Sequence, residues 1–453
     1  MERLNRRRFL RSTAIAAGLT ASGTRLSRLG AQSAKPYAGT RIKMSQVSHA
    51  YAAALLAKLP TFEQQTGIKV EIDQMSFPVL NQREDLELAS GSGAYDVMQM
   101  IFIRSGRWIG AGWAEPLNAY IDDPKLTDKA ALEVNDFVAG AMAPFKRGET
   151  IYALPWLSDS TVVGYRADLF DKAGYAKFPE SFEALQEAAA KIHSRQVAGF
   201  VTEDNLHWIF PNWLLSYGGN FFANPPGDLT PTFDTPEAIR AAGMFTTMLS
   251  KYSPPGGIKL DPSIAQAIMQ QGKAACFLDG MGNTQHIIDP KKTTLGDRMA
   301  FTNTPSGPKG HFRQLAVHGY FINKASKNKA PAWEFIKWAV SKETMLSAAL
   351  EQGHLACTRA SVLDHPEVRK KFTWRGSDLA ALHLSVMKRA GAGYMVYRTV
   401  PQFPPIGDRV IIAMTAIASG QTNVADGMKS LQKDAEGILE KAGVKIRGKG
   451  VGS

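Results

Sequence analysis

Polar and apolar residues alternate over Arg41-Ile42-Lys43-Met44-Ser45-Gln46-Val47, the pattern of a half-buried strand. Leu55, Leu56, Leu59 and Phe62 then recur at helical spacing across 51–65, and Thr66-Gly67 supplies a stop. Alternation returns over 68–72. Strand, helix and strand at this length make a βαβ unit, whose strands run parallel with a right-handed crossover. A second helix is predicted over 78–89 and a nearly continuous apolar strand over 94–102. After Glu149 the pattern restarts, with strands over 151–155 and 161–165 and a helix over 167–173. Ser181 suits the N-cap of a long helix, and Pro236 the first turn of another. Residues 319–323 read as a strand, and 330–341 as a helix with Trp333, Phe335, Ile336 and Trp338 available for burial. The predicted class is α/β, without an internal repeat.

Composition narrows the function more than the fold. At 453 residues, 44% hydrophobic and 21% charged, the chain matches a globular average and is long enough for two or three units or one bilobed body. After the N-terminal region no apolar run approaches the ~20 residues of a membrane-spanning helix. The net charge of +12 invites a nucleic-acid reading, but residues 1–33 hold seven arginines against the single Glu2. Without them the excess falls to +6, scattered along the chain apart from a basic tail at Lys445, Arg447 and Lys449, so no nucleic-acid partner is expected. Cys276 and Cys357 are the only cysteines. They could bridge in an oxidising compartment, although buried thiols are the simpler reading, and no Cys/His spacing suits zinc.

Asn5-Arg6-Arg7-Arg8-Phe9-Leu10-Arg11 is a twin-arginine pattern, followed by a weakly apolar stretch over 12–22. That stretch is too short and too rich in Ala, Gly and Thr for a membrane span, and Ala31-Gln32-Ser33 offers small residues for cleavage before Ala34. Residues 1–33 therefore read as a signal peptide that sends the folded protein to the periplasm, and no Cys follows it to carry a lipid.

Catalytic motifs do not emerge. The chain shows no Gly-rich dinucleotide fingerprint, no phosphate loop, no Gly-x-Ser-x-Gly elbow and no i, i+4 pair among its nine histidines. Neither a catalytic residue, a metal nor a cofactor is expected.

Several segments, in order, resemble the extracellular solute-binding proteins of sugar ABC importers, the maltose-binding-protein-like family. They are Phe62 to Val70 (FEQQTGIKV), Ala89 to Val97 (ASGSGAYDV), Ile151-Tyr152-Ala153-Leu154-Pro155, Gly272 to Gly280 (GKAACFLDG), Pro305 to Gly310 (PSGPKG), Asn323 to Asn328 (NKASKN) and Ile417 to Gly427 (IASGQTNVADG). Each is weak alone; their order spans nearly all of the mature chain. The resemblance implies the two-lobed periplasmic binding protein fold, each lobe a mainly parallel sheet flanked by helices, with the ligand in the cleft between them. It divides the chain into lobe 1 (34–151 and 316–347) and lobe 2 (155–314 and 355–453), with crossings near 152–154, 315 and 348–354.

It also implies site residues. Asp159 follows the Ala-Leu-Pro crossing, where the family often places a carboxylate, and Trp156 stands beside the same crossing. Met100 and Phe102 end the third strand, and Trp208 precedes Tyr217-Gly218-Gly219-Asn220, near where the family places a stacking aromatic. Asp279 and Met281 border a Gly-x-Gly stretch where the family commonly shows Gly-x-Trp; here Gly282 is followed by Asn283, which argues against a long maltodextrin platform. His49 after the first strand and His318 after the second crossing complete the candidates. Each also has a packing alternative, since apolar residues at strand ends usually belong to a core and an Asp often caps a turn.

The function expected is the periplasmic substrate-binding component of an ABC importer, a monomer that delivers a sugar or polyol to membrane permease subunits. An exported small-molecule enzyme, or the same fold holding an anionic solute, are the alternatives. Export gives a direct test. Replacing Arg6, Arg7 and Arg8 with lysine should strand precursor in the cytoplasm, because the twin-arginine machinery reads guanidinium groups and not charge alone. Undiminished export of that variant, followed by fractionation and immunoblotting, would remove the assignment.

Overall fold

The computed structural model describes residues 35–48, 50–353 and 355–447. The signal peptide expected over 1–33 and the candidate His49 lie outside the described residues. Residues from Tyr37 onward form one compact unit.

In chain order, the elements that bear on the site are β1 (Arg41–Val47), α1 (Leu59–Thr66), β2 (Lys69–Met75), α2 (Phe77–Ser90), β3 (Val97–Ile101), α3 (Phe102–Gly110), α4 (Ala139–Met142), β4 (Leu154–Arg166), β5 (Val201–Thr202), α5 (Leu206–Ile209), α6 (Pro211–Ser216), α7 (Pro236–Lys251), α8 (Pro262–Gln270), β6 (Cys276–Gly280), β7 (Met299–Thr302), β8 (Leu315–Ile322), α9 (Lys329–Ala339), α10 (Leu379–Ala390), α11 (Phe403–Ala418) and α12 (Val424–Lys441). The helix predicted over 51–65 is two helices, because Pro60 lacks the N–H that continuation needs and instead occupies the first turn of α1. Phe102, predicted as a strand end, is the first residue of α3.

β1 pairs in parallel with β2 and β3, as the βαβ reading requires. The antiparallel β8 follows on β3, and then β4. The two strands expected over 151–155 and 161–165 are one strand of 13 residues. Its first half completes this sheet, with Leu315 opposite Ser160. From Thr161 onward its partners are the antiparallel β6 and β7, and β5 lies parallel to β6. One strand therefore serves two sheets, and its partners change between Ser160 and Thr161.

Each sheet carries helices packed by aromatic side chains. Beside the first, Trp333 and Trp338 of α9 are spent on packing: Trp333 is fully buried with its indole N–H on Thr127, and Trp338 lies 5.0 Å from Phe62. Beside the second, Trp213 of α6 stacks on Phe182 at 4.3 Å and meets Phe245 of α7. The chain after 355 does not keep to one sheet. α10 packs on α4 beside the first, while Trp374 and Ser377 donate to the carbonyls of Met299 and Phe301 and so occupy the open edge of β7. From Tyr397 onward the buried side chains join the second core. Among the described residues no helix is long and apolar enough to cross a membrane.

Candidate functional site

A cavity of about 1010 Å³ lies between the two sheets. Val47, Phe77, Asn81, Ile101 and Phe102 come from the first side; Glu203, Asp204, Asn205, His207, Trp208, the 258–266 segment, Asp279, Gly280 and Asn283 from the second. Asp159 of β4 and His318 of β8 lie where the sheets meet, and α11 adds Asp408, Ile411 and Thr415.

Of the residues singled out in the sequence, Phe102, Asp159, Trp208, Asp279, Asn283 and His318 are brought together in this lining. Met100, Trp156 and Met281 are not. Met100 and Met281 are at most 1% exposed inside the core, and Trp156 stacks on Tyr320 at 4.8 Å. The reason is alternation: Ile101, next to Met100, faces the cavity, so Met100 faces the other way.

Asp159 owes its position to a glycine. A Cβ on Gly280 would stand 2.2 Å from its carboxylate oxygen, so only glycine leaves the space. The N–H of Gly282 donates to Asp159 at 3.0 Å. Burial nevertheless dominates and, with the nearby charge of Asp279, raises the Asp159 pKa to about 7. Asp279 is buried too, and its carboxylate accepts from Asn283 at 2.7 Å. Beside it, burial and the charges of Asp279, Asp204 and Asp159 push Glu203 well above the carboxylate range. Glu203 therefore holds the proton of this pair and donates it towards Asp279, which receives help from Gly280, Asn283 and Gln266.

On the first side a polar relay orients His318. Tyr320 donates to Gln46 at 2.6 Å, and Gln46 donates to the Gln99 carbonyl oxygen at 3.1 Å. The Gln99 amide nitrogen is left to face His318 Nδ1 at 2.7 Å, which places the imidazole proton on Nε2.

Glu203, Asp204, Gln266, Arg398 and Asp408 were not anticipated. Glu203-Asp204-Asn205 follows directly on β5, and a polar run at a strand's C-terminal end is a signal that could have found it. Arg398 has no such signal. It is 1% exposed, and its guanidinium lies over the rings of Phe102 at 4.8 Å, Trp208 at 5.3 Å and Phe403 at 5.1 Å. Among the described residues no group of three His, Cys, Asp or Glu side chains could hold a metal.

The arrangement is thus a cleft between two sheets, rich in hydrogen-bond acceptors. Residues 46–346 match the family described as bacterial extracellular solute-binding protein. The chain belongs to that family. The chain is 26% identical over 344 residues to an erythritol/L-threitol-binding protein of Mycolicibacterium smegmatis, covering 72% of each. It is 24% identical to a mannitol-binding protein of Pseudomonas aeruginosa, covering 81% of this chain and 85% of the relative. Among solved structures, a solute-binding protein of Agrobacterium radiobacter in complex with ribitol superposes with a TM-score of 0.78 at 21% identity, over 89% of this chain and all of that one. One from Agrobacterium vitis with bound D-mannitol superposes with a TM-score of 0.76 at 24% identity, over 89% of this chain and 99% of the other. The fold is that of the two-lobed periplasmic solute-binding proteins, so the cavity lies in the interlobe position.

The raised acids set a pH dependence. Asp159 binds its proton more tightly in the folded state, where its pKa is about 7, than at its ordinary value of 3.8. Folded stability is therefore lost as the pH rises between those values. Ligand-free Asp159→Asn should melt above the wild type at pH 8 and converge with it near pH 4. Parallel melting curves across that range would show that Asp159 carries no such cost.

Proposed function

We propose that this solute-binding protein serves an ABC importer and that its cleft closes on a small acyclic polyol. The observation that carries the choice of ligand is the state of the aromatic walls. Trp208 and Phe102 each present a ring to the Arg398 guanidinium. The face that each ring turns to the cation is closed to the flat C–H face of a pyranose. What remains for recognition is polar: Asp159, Asp204, Asp279 and Asn283 for hydroxyl groups, with apolar Phe77 and Ile101 for the carbon chain. An ionised carboxylate accepts two hydroxyl donors, and an open-chain polyol can turn each hydroxyl towards a separate acceptor. The names of the relatives, which bind erythritol, L-threitol, mannitol and ribitol, point the same way. The acid-rich lining, set against Lys259 and Arg398, disfavours an anionic solute.

The rest of the reading follows from this role. The chain is exported by the twin-arginine route to the periplasm, acts as a monomer, touches the membrane only through permease subunits and releases its ligand unchanged.

Calorimetry decides the ligand class. Erythritol, ribitol and D-mannitol should include at least one solute that binds saturably without turnover, whereas maltose and glucose 6-phosphate should not bind. At pH 8, where Asp159 is ionised, Asp159→Asn should weaken the bound polyol about 10- to 100-fold, because a charge-assisted hydrogen bond contributes roughly 1.5–3 kcal/mol. Gly280→Ala, which must displace the same carboxylate, should do likewise. Tight maltose binding, or full polyol affinity in folded Asp159→Asn, would overturn the assignment.

A further inference from the structure

Arg398 is a buried cation without a counter-ion. No Asp or Glu among the described residues makes a salt bridge with it, and its Nε finds no acceptor. Buried charges are ordinarily paired, so something else must justify its place. Two hydrogen bonds hold the fork: Nη1 donates to Gln314 Oε1 at 3.2 Å, and Nη2 to His207 Nδ1 at 3.4 Å. His207 can accept because burial and the Arg398 charge keep its imidazole neutral, its pKa pushed down to about 3. Further stabilisation comes from the Tyr397 hydroxyl group and from the three rings.

Those partners have different origins. Phe102 begins α3, directly after a strand of the first sheet; Trp208 and His207 belong to α5, which Glu203-Asp204-Asn205 separate from a strand of the second; Gln314 immediately precedes β8. The backbone beside Arg398 spans the same divide. Thr399 touches α3 so closely that a Cβ on Gly106 would stand 1.9 Å from its carbonyl oxygen, while Tyr397 stacks on Phe221 of the second core at 4.4 Å.

We propose that Arg398 is a positioning residue that fixes the angle between the two lobes, its guanidinium clasping Phe102 on one side of the cleft and Trp208 on the other. Widening the cleft takes a ring from one face of the cation and leaves the charge less compensated in a dry site. A lysine cannot replace it, because an ammonium neither lies flat against several rings nor forks to Gln314 and His207. The inference concerns the protein itself and holds whichever solute it binds.

The test measures the angle without ligand. Val79 and Ile264 are 53% and 52% exposed on α2 and α8, helices that line opposite sides of the cavity, whereas Cys276 and Cys357 are buried. Spin labels on Val79→Cys and Ile264→Cys therefore report the cleft width by double electron–electron resonance. In ligand-free Arg398→Met the distance distribution should broaden and move to longer values, and Arg398→Lys should do the same despite keeping its charge. Phe102→Leu, which removes one ring and leaves the arginine, should give the intermediate result and serves if Arg398→Met does not fold by circular dichroism. A merely structural arginine would lower the melting temperature and leave the distances alone. Unchanged distributions in folded Arg398→Lys and Phe102→Leu would overturn the proposal, even where polyol binding is intact; widened distributions in a protein that binds no polyol would uphold it and remove the ligand assignment alone.

Discussion

A strand that passes from one sheet to another must keep its backbone hydrogen-bonded at the residue where the partners change, and here that residue is Thr161. Its N–H donates to the Gln314 carbonyl, and its own carbonyl accepts from Arg313 Nε and Nη2 at 2.9 and 2.6 Å. Its hydroxyl donates to Asn212 at 2.8 Å and accepts from the Gln314 N–H at 3.1 Å. Just before it, His383 sits between Ser158 and Ser160, 2.9 Å from each hydroxyl. Burial and the charge of Arg313 push that histidine down to about 3, so it is neutral and has one donor and one acceptor nitrogen. Ser158 gives its proton to the Cys357 carbonyl, so it accepts from His383 Nε2, and Ser160 donates to Nδ1. The side chains of Ser158, Ser160, Thr161 and His383 are thus all used at the crossing. Buried polar groups satisfied in this way define one geometry more sharply than apolar packing does, because any other arrangement leaves a donor or acceptor stranded.

The cleft obeys the opposite rule. Asp159, two residues before the switch, and its neighbours Asp279 and Glu203 are gathered where burial raises all three. Such a cluster does not help the protein fold, and its cost grows as the pH rises and Asp159 gives up its proton.

Much of the fold was legible because it rests on local patterns. The alternation over Arg41–Val47 and the helical spacing of Leu59 and Phe62 depend on neighbours in sequence, and the parallel pairing of β1 with β2 follows from them. The single strand Leu154–Arg166 was read as two because Ser158, Asp159 and Ser160 break its apolar run, and only their partners in α10 and around Gly280 explain polar residues there. Within the site, Asp159, Asp279 and Asn283 could be placed because short motifs surround them. Arg398 could not, since what gives it meaning comes from residues 102, 207, 208, 314 and 403, which approach it only in three dimensions. The misplaced methionines mark the same limit: Met100 and Ile101 are equally apolar, and the face each presents is decided by strand phase.

Gln314 joins these two regimes. Its backbone N–H and carbonyl both serve the switch at Thr161, while its side-chain oxygen accepts from Tyr397 at 2.8 Å and from Arg398 at 3.2 Å. A glutamate there would offer Arg398 a counter-ion, and the cation would then depend less on the rings of Phe102 and Trp208. The neutral amide gives direction without charge, so the guanidinium stays dependent on both sides of the cleft at once. Burial and the charge of Arg398 in turn keep His207 neutral and able to accept. Rigidity at the crossing strand and dependence at the cleft are thus carried by one side chain and its own backbone, which tie Arg398 to the strand about which the lobes are arranged.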